Sequence, residues 1–551
     1  MKILNFLLLF LSLIIVAPTN VVPSGGDTHE SLVASGQEPV TLRIGINATD
    51  LETLDPHLAA SFSDRMLADM VFNGLLRYKP GHAPNFEPDL AEEIPEPFIV
   101  DGRQIWTFKL KRGIFFHAGP NTQSYEFTAA DVVYSLNKAA DPKRSAYAGE
   151  YTGMSDEKID DYTCNIIMDP PLSPTLFFPK VADYAGGFIV SSRALQAKGD
   201  TIFNDHPVGT GPFRFASHKL MRAVLLTANR DYFRALPELD QVRINFFPDP
   251  VDLYTAFSQG ELDLIRSGAE IDLQGIMPVD AKVDVFGVPE VALIHFNASV
   301  KPLDDLRIRQ AIAYALDRDQ FLARFPAETV GNVYAPIPDR FLSGGLSPEE
   351  VKALGLDYPT DLTKSRKLLA AAGYPQGFSL DVVATELSHV RKNYETLQQQ
   401  LAKVGIQINL QVVDHSSMHR RIRQNQSAIV IYEAWRPNTD VFLSRFFHSD
   451  SIVLYGKNPD TNFSHYRQID KLILLARNEM NPIRQEKLWE YAQVKLLEEM
   501  IVYPLHFRNK TYIRRGYVDY GHPLVASMAL YPQITEKTRI LKSSNYSQSK
   551  R

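Results

Sequence analysis

Residues 361–412 read DLTKSRKLLAAAGYPQGFSLDVVATELSHVRKNYETLQQQLAKVGIQINLQV, and this stretch decides the fold class. Asp361 is a residue type that caps a helix by accepting from the first free backbone N–H groups. The helix it opens runs to Ala372, where Gly373 supplies a left-handed stop. Ser379 to Val383 then reads as a strand, and Asn393 to Val404 as a helix ended by Gly405. From Ile406 to Val412 apolar residues alternate with others without a fault, the period of a half-buried strand. Strand, helix and strand in that order imply a parallel pair joined by a right-handed crossover. The fold class is α/β, or mixed α+β.

Outward from that unit the same periods recur. Pro482 to Met500 reads as a long helix followed by a strand from Ile501 to Phe507. Toward the N-terminus, Val40 to Ile46 alternates as a strand, and Ser63 to Leu76 carries apolar residues at helical spacing. Ile105 to Leu110 alternates again, and Thr128 caps a helix with Asp131 three residues on, close to a capping box. No internal repeat of fixed period interrupts the order. At 551 residues the chain is too long for one ordinary core, so at least two lobes are expected. Hydrophobic residues at 45% and charged residues at 22% exclude a disordered or low-complexity chain. A formal net charge of −6 gives no electrostatic reason to expect nucleic acid as a partner.

Lys2 precedes an apolar run from Ile3 to Val16, a charged start and a stretch too short to span a bilayer comfortably. Residues 1–24 therefore read as a secretory signal peptide, with an uncleaved anchor as the alternative, and residues 25–39 as a flexible lead-in. No cysteine follows the run, so lipid attachment is not expected and a periplasmic location follows. The single cysteine, Cys164, excludes an internal disulfide framework and reads as a small buried apolar residue.

Catalysis and cofactor binding need particular residues at particular spacings. The chain has no Gly-x-Ser-x-Gly elbow, no Walker loop, no His-Glu-x-x-His and no dinucleotide fingerprint. Gly209-Thr210-Gly211-Pro212 reads as a turn, because Pro212 follows at once and no helix opens there. His415 and His419 stand four apart and could share a helix face, but Arg420, Arg421 and Arg423 beside them disfavour a cation. A solvated pair is the better reading. No catalytic residue, cofactor or metal ligand is assigned, and the chain is not expected to be an enzyme.

The remaining segments are informative together. Leu54-Asp55-Pro56, Val71-Phe72-Asn73-Gly74-Leu75-Leu76, Pro88-Asp89-Leu90-Ala91-Glu92, Phe115-Phe116-His117-Ala118-Gly119 and Phe127-Thr128-Ala129-Ala130-Asp131 occur in that order. Val208 to Phe213, Ala228 to Phe233, Gly260-Glu261-Leu262-Asp263 and Phe296-Asn297 with Arg307 to Ile312 follow. From about Leu42 to about Tyr531 the chain resembles the peptide and nickel class of ABC transporter solute-binding proteins, family 5. The resemblance implies a two-lobed periplasmic binding protein of type II, closing like a flytrap on a ligand between the lobes. Lobe one would cover 40–290, with an inserted subdomain at about 79–205, and lobe two 291–508. Residues 509–542 would return to lobe one, and 543–551 would form a disordered tail. The hinge candidates are Val288–His295 and Leu505–Lys510. The implied partners are a small-molecule or short-peptide ligand and a membrane permease with its ATPase; the receptor would be a monomer.

Peptide receptors of this family hold the ligand ammonium with an aspartate a few residues after a tryptophan. The matching stretch runs from Glu433 to Leu443. There Trp435 fits as a pocket wall, although core filler is its other reading. Asn438 falls at the aspartate's offset and Asp440 lies two further on, while Arg436 adds a cation where an ammonium would approach. Dipeptide receptors also carry an arginine just past the strand equivalent to Ser379–Val383. Here Glu386 stands there; it would repel a carboxylate and favour hydroxyls or a cation, or else is an exposed loop carboxylate. Arg391 could serve instead. Asn47 and Thr210 are lesser candidates from lobe one, and His117 is read as structural. The expected role is capture of a peptide or peptide-like solute for an ABC importer, with an oligosaccharide or other polar solute as the alternative. A secreted hydrolase or a chaperone-like binder would need a catalytic set or an open apolar groove.

Overall fold

The structure, a computed structural model, describes residues 38–541 except 121, 183–184 and 267–276. The expected signal peptide, almost all of the lead-in and the expected tail lie outside the described residues. A seven-stranded sheet is assembled from both ends of the chain. Its order is Phe213–Lys219, Ala223–Ala228, Gln241–Phe246, Thr41–Ile46, Leu264–Arg266, Lys510–Arg515 and Ala281–Phe286. The Thr41 strand is central and has a parallel neighbour on each side, with Ile44 opposite both Ile244 and Leu264. Its alternation places Leu42, Ile44 and Ile46 in the core. Gly45 lets neighbouring side chains close on the strand, since a Cβ there would stand 2.5 Å from methyls of Leu253 and Leu262.

A second sheet holds Val330–Asn332, Val502–Arg508, Glu290–Phe296 and Ile429–Trp435 in that order. The chain passes from the first sheet to the second through Gly287-Val288-Pro289 and returns through Asn509. The two passages run side by side: Phe286 pairs with Lys510 on one side and Val291 with Phe507 on the other. The stretch that decided the fold class forms as read. Asp361 accepts from the Lys364 N–H to open the helix Leu362–Ala371. Phe378–Thr385 and Ile406–Val413 pair in parallel over eight positions. The intervening helix runs Ser388–Ala402, starting five residues before the expected Asn393. Asn481 caps Pro482–Glu498 ahead of the Val502 strand.

One helix is shorter than its periodicity. The spacing to Leu76 suggests a helix from Ser63, but it spans Phe62–Val71 and stops where Phe72 turns extended. The Val71 carbonyl is taken by the Gly211 N–H at 2.9 Å, and Asn73–Gly74 pairs with Phe188–Ile189 as a short strand. Gly209 and Gly211 are required for that approach, since a Cβ at either would lie within 2.5 Å of Val71 backbone atoms. Apolar spacing continues past the helix because the next residues are buried as strand instead.

In the chain between the Thr41 and Phe213 strands, Phe98–Val100, Arg103–Lys109, Thr163–Met168 and Met154–Asp160 form a separate four-stranded sheet. Trp106 stacks on Phe177 there at 4.2 Å, and Cys164 is fully buried with its thiol pushed up to about 12. Lys138, also fully buried, donates to both oxygens of Asp55 at 2.7 and 3.0 Å. Among the described residues no helix is long and apolar enough to cross a membrane.

Candidate ligand-binding site

In open α/β sheets ligands collect outside the carboxyl ends of parallel strands, where the strand order reverses. The three parallel strands of the first sheet end together at such a point. After Ile46, Asn47 donates its amide to Phe247 O at 2.8 Å and Pro248 O at 3.0 Å, tying the ends of two strands. Arg266 ends the third strand, and its guanidinium lies 4.6 Å from the centre of the Phe62 ring. Phe62 opens the helix Phe62–Val71, capped by Ser61, whose hydroxyl accepts from the Asp64 N–H. Arg65, three residues after Phe62, shares its face of the helix.

Arg65 reaches from the first sheet's side to the second. Its guanidinium lies 5.5 Å from the Trp435 ring centre and 5.9 Å from that of Tyr147, and it donates to the Tyr147 hydroxyl at 3.2 Å. Trp435 is the last residue of the Ile429 strand and stands opposite Glu290, beside the passage between the sheets. Two ion pairs flank that passage, Glu290 with Lys510 and Glu433 with Arg508. Trp435 therefore sits where any rotation of one sheet against the other would move it relative to Arg65.

The other expected site residues divide by what their polar atoms already hold. Arg436 lies just past the end of the Ile429 strand. Its guanidinium lies 4.8 Å from the Phe446 ring centre and donates to Trp435 O at 3.0 Å. The Asn438 side chain caps the helix Thr439–Phe447, accepting from Val441 N–H at 2.9 Å. Asp440 is buried and accepts from Arg477 Nε at 3.1 and 3.2 Å; burial pushes its carboxyl up, opposed by that arginine. Thr210 is buried and donates to Asn73 at 3.0 Å, so its hydroxyl is committed to the scaffold. His117 is likewise interior, Nε2 standing 3.0 Å from Gly211 O, and burial pushes its ring down to about 3.

Glu386 is exposed just beyond the parallel pair and accepts from the His415 N–H at 3.1 Å. Arg391 is engaged by Glu395 one turn on. His415 and His419 do share a helix face, their Nε2 atoms 3.1 Å apart, and His419 is pushed down to about 4 by burial, His415 and Arg423. No group of three or more potential metal ligands occurs among the described residues.

Trp435 thus meets Arg65 beside the passages, Asn47 ties the ends of two parallel strands, and the polar atoms of Thr210 and Asp440 are held by Asn73 and Arg477. Sequence reasoning did not single out Phe62, Arg65, Tyr147 and Arg266, the residues in contact around this region. One signal was present: Arg65 puts a cation in the early turns of a helix, where the macrodipole disfavours it. A cation in that place needs another reason to be there.

Comparison with known proteins gives a consistent picture. Residues 85–452 match the family described as bacterial extracellular solute-binding proteins, family 5 middle. The heme-binding protein A of Haemophilus influenzae is 28% identical over 454 residues, covering 78% of this chain and 80% of its own. The dipeptide-binding protein of Escherichia coli is 25% identical over 462 residues, covering 78% and 82%. Among solved structures, the solute-binding protein MoaA of A. tumefaciens R10, in complex with mannopinic acid, is 33% identical. It covers 92% of this chain and 100% of its own, with a TM-score of 0.73.

Proposed function

The chain belongs to the family 5 bacterial extracellular solute-binding proteins, and from that premise we propose that it captures a polar solute beside Trp435 and presents it to an ABC importer. Family 5 members bind peptides and related solutes for ABC import. The two lobes would be 40–290 with the return at 509–542, and 291–508. They would close about the paired passages at Gly287–Pro289 and Asn509. A ligand that touches both lobes favours the closed form only through contacts it makes there and not in the open form. The observation that carries the reading is Arg65 lying over Trp435: one residue from each side, meeting next to the passages. The protein would be exported, with residues 1–24 removed, and would work as a monomer in the periplasm against a permease and its ATPase.

A peptide or peptide-like solute is one candidate class. A polar non-peptide solute is the second reading, and two observations favour it. Asn438 and Asp440, the positions matching the ammonium anchor of peptide receptors, are occupied by a helix cap and by Arg477. The relative at 33% identity holds mannopinic acid. Native mass spectrometry of the mature protein, purified gently from its host, tests the role. A retained small molecule of defined mass supports a receptor, and its identity chooses between the classes. A protein that arrives empty and is not stabilised by peptides, opine acids or haem contradicts it.

A further inference from the structure

We propose that Arg65 and the strand-end Arg266 form an anion subsite that takes the carboxylate of an acidic solute, with Phe62 and Trp435 as its aromatic walls. The inference rests on the receptor reading and narrows its ligand class.

Many arginines of this chain are paired with acids. Arg43 with Asp263, Arg144 with Asp200, Arg234 with Asp89, Arg477 with Asp440 and Arg514 with Asp284 each stand within 3.1 Å of a carboxylate. Arg266 departs from that pattern. It is half-buried at the carboxyl end of a parallel strand, its guanidinium rests on Phe62, and no carboxylate among the described residues lies within ion-pair distance of it. A guanidinium holds its donors in one plane, which suits a two-oxygen acceptor. Arg65 stands three residues from Phe62 on the same helix and reaches the other wall, Trp435. Arg65 also donates from Nε to Ala59 O at 3.4 Å and to the Tyr147 hydroxyl at 3.2 Å, so Arg266 is the principal anchor and Arg65 adds positive charge beside it. Arg266 therefore stands at the carboxyl end of its strand with the Phe62 ring against it, and Arg65 lies one helical turn from that ring, a setting for an acid and not for a neutral sugar or an amine.

The test compares the wild-type chain with Arg266→Gln, Arg65→Gln and the charge-keeping Arg266→Lys. Melting curves and calorimetric titrations would use mannopinic acid, agropinic acid, the dipeptide Met-Leu, its C-terminal amide and mannitol. The expected result is that the solutes bearing a carboxylate stabilise the wild type and the amide and mannitol, which lack one, do not. Arg266→Gln should then weaken acid binding at least ~10-fold, about 1.4 kcal/mol, with Arg266→Lys recovering part of it. The proposal is overturned if the amide or mannitol binds as well as the acids, if Arg266→Gln keeps full affinity while folded, or if no acid binds. A neutral solute held by the wild type in place of acids would overturn the subsite and leave the receptor reading standing. A chain that binds nothing, in titration or in its native mass spectrum, takes down both.

Discussion

Replacing Trp435 by leucine and Arg65 by glutamine, singly and together, measures how strongly the two proposed lobes are coupled through that contact. The guanidinium lies 5.5 Å from the ring centre, and Trp435 is half-buried. A cation over an aromatic face in that setting contributes about 0.5–2 kcal/mol. If the contact exists only when the lobes are closed, losing about 1 kcal/mol lowers the closed-to-open ratio roughly 5-fold. Single-molecule energy transfer reads that ratio, using cysteines introduced at the exposed positions Lys219 and Lys457. Cys164 need not be removed, because it is fully buried and its thiol is pushed up to about 12, which keeps it unreactive toward the dyes. The double-mutant cycle should return a coupling of about 0.5–2 kcal/mol in the closure equilibrium. Additivity within about 0.3 kcal/mol would refute the reasoning, because the contact would then not depend on closure.

Lys138→Met strands the Asp55 carboxylate in the interior beside His57, and breaking a buried pair costs on the order of 3–5 kcal/mol. The melting temperature should fall by several degrees, and an unchanged melt would contradict the pairing. Burial holds His57 down to about 4 and His117, His295 and His506 down to about 3. Their neutral forms support the fold fully above the free value near 6.5, and that support is lost as pH falls from there toward 4. Each costs about 1.4 kcal/mol per pH unit over that window, so His117→Gln should flatten the fall of melting temperature between pH 6.5 and 5. Asp440→Asn should lower the melting temperature through Arg477 while leaving ligand affinity within about 2-fold; a large loss of affinity would return Asp440 to the site.

The fold was legible where local chemistry and burial agree. Asp361, Gly373 and Gly405 punctuate the parallel unit because caps and left-handed stops act within a few residues of themselves. The helix Phe62–Val71 was overrun because its end depends on the Gly211 N–H, which comes from far along the chain. The site was legible only in part. Trp435 stands out by its place in a family-like stretch, but Asp440 and Thr210 take their partners, Arg477 and Asn73, from remote segments. Arg266 has no sequence signal of its own. It enters the proposed subsite because three strands end together and because Phe62 lies against it, and both facts belong to the assembled sheet.

Intrinsic fluorescence during ligand titration tests the central claim most directly. Of the three tryptophans, Trp106 and Trp489 are fully buried and Trp435 is half-buried opposite Glu290. Titrating the mature protein with the solute it retains should give a saturable change that disappears in Trp435→Phe, together with weaker binding by calorimetry. A saturable change of the same size in Trp435→Phe, with affinity intact, would place the ligand elsewhere and contradict the account.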